Sequence, residues 1–146
     1  MIWIALRYHS INSHSSEGFC WTDINSTFLK ARLKSKGVFD VVSMSLYTQT
    51  QLPDWYFVCL INTNLMSLYV DNFINNTSHF QINDARQTPI IIPNKESIGQ
   101  LKRLFDKAQS VQKRLFAQKI TSATASVELQ ELQNMLETTV RELYSI

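Results

Sequence analysis

Glycine, proline and cysteine are all scarce in this sequence. Three glycines and three prolines in 146 residues exclude a collagen-like, linker-like or proline-rich protein. Two cysteines, Cys20 and Cys59, cannot form the disulfide framework of a small secreted protein. No apolar run approaches the roughly 18–20 residues that a membrane span requires, and residues 1–10 carry Arg7 and His9 without a small-residue cleavage site, so we expect no signal peptide. We therefore expect a soluble, cytoplasmic protein.

The composition is that of a globular protein, with 45% hydrophobic and 18% charged residues, and the charge is distributed unevenly. Residues 1–93 carry six basic and six acidic side chains, so their net charge is zero. Residues 94–120 carry seven basic and two acidic side chains, whereas residues 121–146 carry one basic and four acidic ones. This pattern favours either two helices that attract one another or a basic face directed at an anionic partner.

The N-terminal part predicts short strands joined by polar turns. We expect strands at residues 2–8, from Phe19 onward, at residues 27–33 and at residues 38–43. The tetrapeptide KSKG between the last two predicts a hairpin. Alternation along residues 27–33 predicts a core face and a partly basic face. The core face would hold Thr27, Leu29, Ala31 and Leu33, and the other face Phe28, Lys30 and Arg32.

A helical segment is expected from Pro53-Asp54 to about residue 73, with a break or kink at residues 62–64. Its apolar residues recur at helical spacing: Val58, Ile61, Leu65, Leu68, Tyr69 and Phe73. The polar residues 75–79 end it. Residues 87–93, which contain three isoleucines between two prolines, predict an edge strand or an extended arm.

The last third predicts two amphipathic helices. We expect the first from about residue 96 to 119 with Asn94 as its N-cap, and the second after a loop at residues 121–126. Their apolar seams are Ile98, Leu101, Leu104/Phe105, Ala108, Val111 and Leu115, and Leu129, Leu132, Leu136, Val140 and Leu143. The predicted fold class is therefore α+β, in which a small mixed β-sheet lobe with helices (residues 1–93) precedes an antiparallel helical hairpin (residues 94–146).

Catalytic and metal-binding motifs are absent from the sequence. Three glycines cannot form a phosphate-binding or dinucleotide-binding loop, and the Asn/Asp-Pro-Pro-aromatic tetrad of amino-methyltransferases does not occur. Pro53-Asp54 lacks the following Asp/Glu-x-Lys of a common nuclease site. The three histidines and two cysteines do not have the spacing of a zinc site. We therefore predict no catalytic residue and no metal ligand.

One candidate binding feature is the basic hairpin, namely Lys30, Arg32, Lys34 and Lys36, with Trp21 nearby in the sequence. Such side chains neutralise phosphates and reach base edges in a DNA groove. The alternative is a solvated hairpin tip without a binding role.

The other candidate feature is the polar stretch of residues 75–87, with Asn76, Asn83, Arg86 and Gln87 as candidate DNA contacts. Asparagine and glutamine can bind adenine in a bidentate manner, and arginine can bind guanine. The alternative is a capped helix end that leads into a polar turn.

Taken in order, these pieces resemble a known arrangement. The segments GFCWTDINSTFLKARL, VFDVVSMSLY and LPDWYFVCLINTNLMSLYVDNFINNTSHFQINDARQTPIIIP resemble the C-terminal part of adenine-specific DNA methyltransferases. The same region occurs in type IIG restriction–modification enzymes with a TaqI-like specificity domain. Residues 74–93, with the elements NNT, QINDARQ and PIIIP, are the most specific part. LQELQNMLETTVRELY, at residues 129–144, is similar to the helix that closes these polypeptides. The resemblance covers residues 18–146.

This resemblance implies a bacterial target-recognition region that binds double-stranded DNA beside a methyltransferase catalytic domain or subunit. The full-length enzymes transfer a methyl group from S-adenosylmethionine to the exocyclic amino group of adenine. Because the cofactor-binding and catalytic segments are missing from this sequence, we expect a fragment or a split gene product that binds no cofactor. Methyl transfer by this chain alone is not expected, and the sequence leaves its status as an enzyme open.

The resemblance also implies that Ile90–Ile92 pack at the junction between the lobe and the helices, in an arm stiffened by Pro89 and Pro93. Two further interpretations remain open. The chain is alternatively a protein-docking or assembly fragment of such a system with no DNA binding of its own, or a remnant with no independent function.

Overall fold

The fold is described from a computed structural model, which describes residues 18–22, 28–34, 43–46 and 50–146. The predicted strand at residues 2–8, the turn residues 35–37 with Lys36, and most of the predicted strand at residues 38–43 lie outside the described residues. The chain divides into two compact units, Met1–Ile92 and Pro93–Ile146, which we call the N-terminal unit and the helical hairpin. The division falls one residue before the predicted one.

A three-stranded antiparallel sheet forms one part of the N-terminal unit. Its strands are β1 (Gly18–Thr22), β2 (Ala31–Lys34) and β3 (Ser43–Leu46), in the order β2-β1-β3. The expected strand at Phe19 is confirmed. The predicted pairing of residues 27–33 with residues 38–43 lies mostly outside the described residues. Ser43 begins β3, which pairs with β1 on the side opposite to β2. The described strands pair only in the antiparallel sense, whereas a mixed sheet was expected.

The described part of the N-terminal unit also contains three helices: α1 (Asp54–Ile61), α2 (Asn64–Phe73) and the short α3 (Ile82–Ala85). The predicted start after Pro53 and the predicted break near residue 62 are confirmed. Thr63 causes a clean break, since its hydroxyl donates to the Leu60 carbonyl at 2.7 Å and accepts from the Met66 amide at 3.2 Å. This side chain thus satisfies groups at the end of one helix and at the start of the next. The sequence analysis did not predict α3.

Aromatic side chains dominate the core of the N-terminal unit. Phe19 and Trp21 of β1 are fully buried and so are Tyr56 and Phe57 of α1. The rings of Phe19 and Phe57 stack almost in parallel with centroids 5.5 Å apart, and the Tyr56 hydroxyl donates to the Ile91 carbonyl at 2.6 Å. Because Cys20 is buried as well, β1 is covered on both faces, as a central strand is.

Helix α2 buries only part of its apolar surface. Met66 and Val70 are buried, whereas Leu68 is 52% exposed and Phe73 is 76% exposed. Of the apolar residues that recur at helical spacing, Leu65 and Tyr69 are half-buried, and Leu68 and Phe73 face solvent. The Ser67 hydroxyl accepts from the Leu29 backbone N–H at 3.0 Å, so this side of α2 is bonded to the segment that precedes β2.

The helical hairpin consists of α4 (Lys95–Phe116) and α5 (Ser122–Tyr144). Asn94 is the N-cap of α4, as predicted, and its side-chain oxygen accepts from the Ser97 amide at 2.8 Å. The predicted loop at residues 121–126 is wrong, because Thr121 caps α5 through the Thr124 amide and the helix already begins at Ser122. The fully buried residues of the hairpin come from both helices: Leu101, Val111, Ala125 and Val140.

The α+β class and the C-terminal helical hairpin are confirmed. Within the described part of the chain, none of the helices has both the length and the apolar character needed to cross a membrane.

Candidate nucleic-acid interface

Among the described residues, a side chain and not a further strand bonds the outer edge of β2. The amide of Asn62, at the end of α1, accepts from the Ala31 N–H at 2.6 Å and donates to the Ala31 carbonyl at 2.8 Å. One asparagine thus replaces the two ladder hydrogen bonds that a neighbouring strand would make. Lys30 and Arg32, on either side of Ala31, are both exposed. The fold therefore displays two cations on a backbone segment that is fixed in place.

The other predicted contact residues of the basic hairpin are Lys34, Lys36 and Trp21. Lys34 is half-buried, and Lys36 lies outside the described residues. Trp21 is fully buried, and its indole N–H donates to the Phe80 carbonyl at 2.7 Å. Trp21 is therefore a core residue, and its expected place among the DNA contacts is corrected, because no part of its ring reaches the surface.

The predicted alternation along β2 and its approach is only partly met. Leu29 is buried and Phe28 is half-exposed, as expected. Leu33, which was expected in the core, is an exposed hydrophobic residue. The alternation thus correctly predicted the surface position of the cations but not the full extent of the core face.

The polar stretch of residues 75–87 is a hydrogen-bonded loop that leads into α3. The Asn75 amide donates to the Asp84 carboxylate at 3.0 Å and to the His79 carbonyl at 2.9 Å, while its oxygen accepts from the Thr77 amide. The Asp84 carboxylate also accepts from the backbone N–H of Gln81 at 2.8 Å and so caps α3. Part of the stretch is therefore structural, in line with the alternative of a capped turn.

The predicted contact residues of this stretch are all exposed. Three of them are brought together at α3, where the Arg86 guanidinium donates to the Asn83 side-chain oxygen at 3.3 Å and the Gln87 amide donates to the Asn83 carbonyl at 3.1 Å. Asn76 is separate from this group and lies at a cleft. We call Asn83, Arg86 and Gln87 the α3 cluster.

The cleft at Asn76 has a volume of about 360 Å³ and lies between residues 28–29, α2 and residues 75–80. Its apolar lining includes Phe28 and Leu68, and its polar lining includes Asp71, Ser78 and His79. Asp71 and His79 were not predicted to lie beside each other in this cleft. No pattern in the sequence signals them, because the walls come from three separate segments.

Both cysteine thiols are buried. Burial raises the pKa of the Cys59 thiol to about 12, so this thiol stays protonated near neutral pH and is a poor nucleophile. In the described ranges, no group of three or more histidine, cysteine, aspartate or glutamate side chains is placed to hold a metal ion.

Two comparisons with known proteins give no relative from which function could be transferred. No protein-family model matches the chain, and no curated protein matches it significantly.

Proposed function

We propose that this chain is the DNA target-recognition portion of an adenine-specific DNA methyltransferase or restriction–modification enzyme. In this proposal it binds double-stranded DNA in the cytoplasm, beside a catalytic domain or subunit that binds S-adenosylmethionine and transfers the methyl group. The observation that supports it best is the pair of exposed cations, Lys30 and Arg32, on the backbone that Asn62 anchors.

Anchoring the backbone favours phosphate binding by these cations. When Ala31 is already fixed, DNA binding has to order only the side chains on either side, which lowers the entropic cost of association. Each phosphate that such a cation neutralises releases counterions, so its contribution is seen in the salt dependence of binding.

The α3 cluster supplies the complementary chemistry for recognising bases. Its amides and guanidinium carry the donor and acceptor groups that pair with base edges in the major groove. The hydrogen bonds among its members restrict their rotamers, which supports a role in recognition more than one in nonspecific attraction.

Reversing the two anchored cations tests this proposal. In the double variant Lys30→Glu/Arg32→Glu, we expect the slope of log K against log salt for duplex DNA to decrease in magnitude by about 2, at about 0.9 per phosphate contact. Binding would be measured by fluorescence anisotropy across a salt series, with a pool of duplexes as the probe.

The matched control is Lys95→Glu/Lys113→Glu, which changes the net charge equally at two exposed positions of α4. We expect this control to retain the slope of the unaltered protein. The proposal is wrong if the unaltered chain does not bind duplex DNA even at low salt, or if the two double variants lose affinity to the same extent.

A second candidate function is a protein-docking or assembly fragment of such a system. It is favoured by the large apolar side chains that the hairpin exposes to solvent, Phe116, Val127 and Met135, since exposed apolar surface is typical of interaction sites. Absence of DNA binding together with capture of a separately expressed methyltransferase catalytic domain would favour this candidate.

A further inference from the structure

A groove of about 540 Å³ runs between α4 and α5 on one side of the hairpin. Its α4 wall carries Arg103 and Lys107, and its α5 wall carries Glu142. Leu104 and Met135 line it between these walls, and Met135 is 55% exposed. The groove therefore carries two cations on its α4 wall and one carboxylate on an α5 wall that is otherwise formed by Met135 and neutral polar side chains. Below, these are called the basic wall and the acidic wall.

The charges of this groove are unpaired in the described part of the chain. Elsewhere on the hairpin, Lys102 contacts Asp106 at 2.6 Å and Arg114 contacts Glu128 at 2.5 Å. Arg103, Lys107 and Glu142, by contrast, form no hydrogen bond or ion pair with any described residue. These three side chains thus remain available to a partner.

The acidic wall extends beyond the groove. Glu131 is exposed and lies eleven positions before Glu142 on α5, which is close to three full helical turns, so the two carboxylates lie on the same side of the helix. Met135 lies between them on that side. The exposed strip of α5 from residue 131 to residue 142 therefore begins and ends with a carboxylate and has Met135 between them.

We propose that the partner of this groove is a second copy of the chain, which packs its own α4 and α5 on the groove to form a two-fold symmetric four-helix bundle. With the symmetry axis parallel to the helices, α4 of each copy lies antiparallel on α5 of the other. Residues at a given height along the helix axis then face residues at the same height in the partner copy. Since Arg103, Lys107 and Glu142 line one groove, the basic wall of each copy faces the acidic wall of the other.

The charges of the two helices favour this packing over the alternative in which the two-fold axis is perpendicular to the helices. A two-fold axis perpendicular to the helices would place α4 on α4, and the basic walls would face each other at close range. Residues 94–120 have a net charge of +5 and residues 121–146 a net charge of −3, so that packing is repulsive, whereas α4 on α5 is attractive on both sides of the axis. The surface is thus complementary to itself in one orientation.

The helices are long enough for a stable contact. A footprint of about 33 by 20 Å, from 22 residues at about 1.5 Å per residue and two helices about 10 Å apart, corresponds to about 1,300 Å² buried in total, which lies within the range of specific interfaces.

Analytical ultracentrifugation of the full chain and of charge-reversed variants tests the proposal. At about 50 µM we expect the unaltered protein to be a dimer. The variants Arg103→Glu/Lys107→Glu and Glu131→Lys/Glu142→Lys should each be monomeric, because like-charged walls would then face each other. An equimolar mixture of the two variants should form a heterodimer, since opposite walls meet again, and this recovery shows that both variants are folded.

The control Lys95→Glu/Lys113→Glu changes the same charge outside the groove and should remain dimeric. A monomeric unaltered protein would overturn the proposal and would leave the groove to another part of this chain or to a different protein. It would equally be overturned if the variants stayed dimeric alone, or if their mixture stayed monomeric. DNA binding is not part of this readout, so the outcome is independent of the proposed function.

Discussion

In the N-terminal unit, the side chains that are removed from water come from segments far apart in the sequence, whereas in the helical hairpin they come from two neighbouring helices. Trp21 of β1 donates to Phe80, 59 positions away, and Phe19 stacks on Phe57 of α1. In the hairpin, full burial is limited to one residue every few turns, such as Leu101, Val111 and Val140.

The difference shows what each unit depends on. A pair of helices can cover only one side of each helix, so its seam stays partly exposed and favours further association. A sheet covered by α1 and its neighbours excludes water from whole aromatic rings, and its stability then depends on a few central residues. We expect substitutions to have larger effects in the N-terminal unit than in the hairpin.

The largest effect is expected for Trp21→Ala. The substitution removes a fully buried ring and leaves the Phe80 carbonyl without its donor, so the free energy of unfolding should fall by about 3–5 kcal/mol. Urea unfolding followed by tryptophan fluorescence and near-ultraviolet circular dichroism measures it. The matched control is Trp55→Ala at a half-buried position of α1, and a similar loss in both variants would contradict the central place of Trp21.

A smaller effect is expected for Asn62→Ala, which removes both hydrogen bonds to Ala31. The loss should be about 2 kcal/mol, at about 1 kcal/mol per hydrogen bond, as measured by urea unfolding. Amide hydrogen exchange at Ala31 should also become faster, because its N–H loses its acceptor. Asn72→Ala is the control, since among the described residues its amide bonds the Leu68 carbonyl on the exposed side of α2. An equal loss of unfolding free energy in this variant would show that Asn62 does not anchor the strand.

The smallest effect is expected in the hairpin, at the ion pair between Arg114 of α4 and Glu128 of α5. Both side chains are more than one third exposed, so a double-mutant cycle with alanine at each position should give a coupling free energy of about 0.5–1 kcal/mol. Raising the salt concentration should reduce this coupling through screening. If this coupling free energy exceeded the loss of unfolding free energy measured for Asn62→Ala, the expectation of larger effects in the N-terminal unit would be wrong.

Local signals were sufficient where a helix end depends on its own neighbours. Asn94 was predicted as an N-cap and is one, because the bond to the Ser97 amide spans three residues. The break after α1 was predicted for the same reason, since Thr63 bonds the Leu60 carbonyl and the Met66 amide. The surface position of Lys30 and Arg32 followed from alternation.

Local signals failed where a distant segment decides the outcome. The apolar residues of α2 lie on two faces, and periodicity could not select Met66 and Val70 over Leu68 and Phe73. Trp21 illustrates the same point at the candidate interface. An aromatic residue that lies close to cations in the sequence is compatible with a surface role and with a core role, and only the fold shows that this one is buried. The short α3 and the cleft at Asn76 gave no periodic signal.

By itself, the sequence determined the α+β class, the helical hairpin and the helix ends that are capped by their own neighbours, because these follow from interactions within a few residues. The order β2-β1-β3, the choice of which apolar residues of α2 are buried, and the burial of Trp21 were decided only by the tertiary structure. Their contacts, such as those of Asn62 with Ala31 and of Ser67 with Leu29, join positions 31 and 38 residues apart, and which of many possible long-range contacts forms depends on the packing of the whole unit.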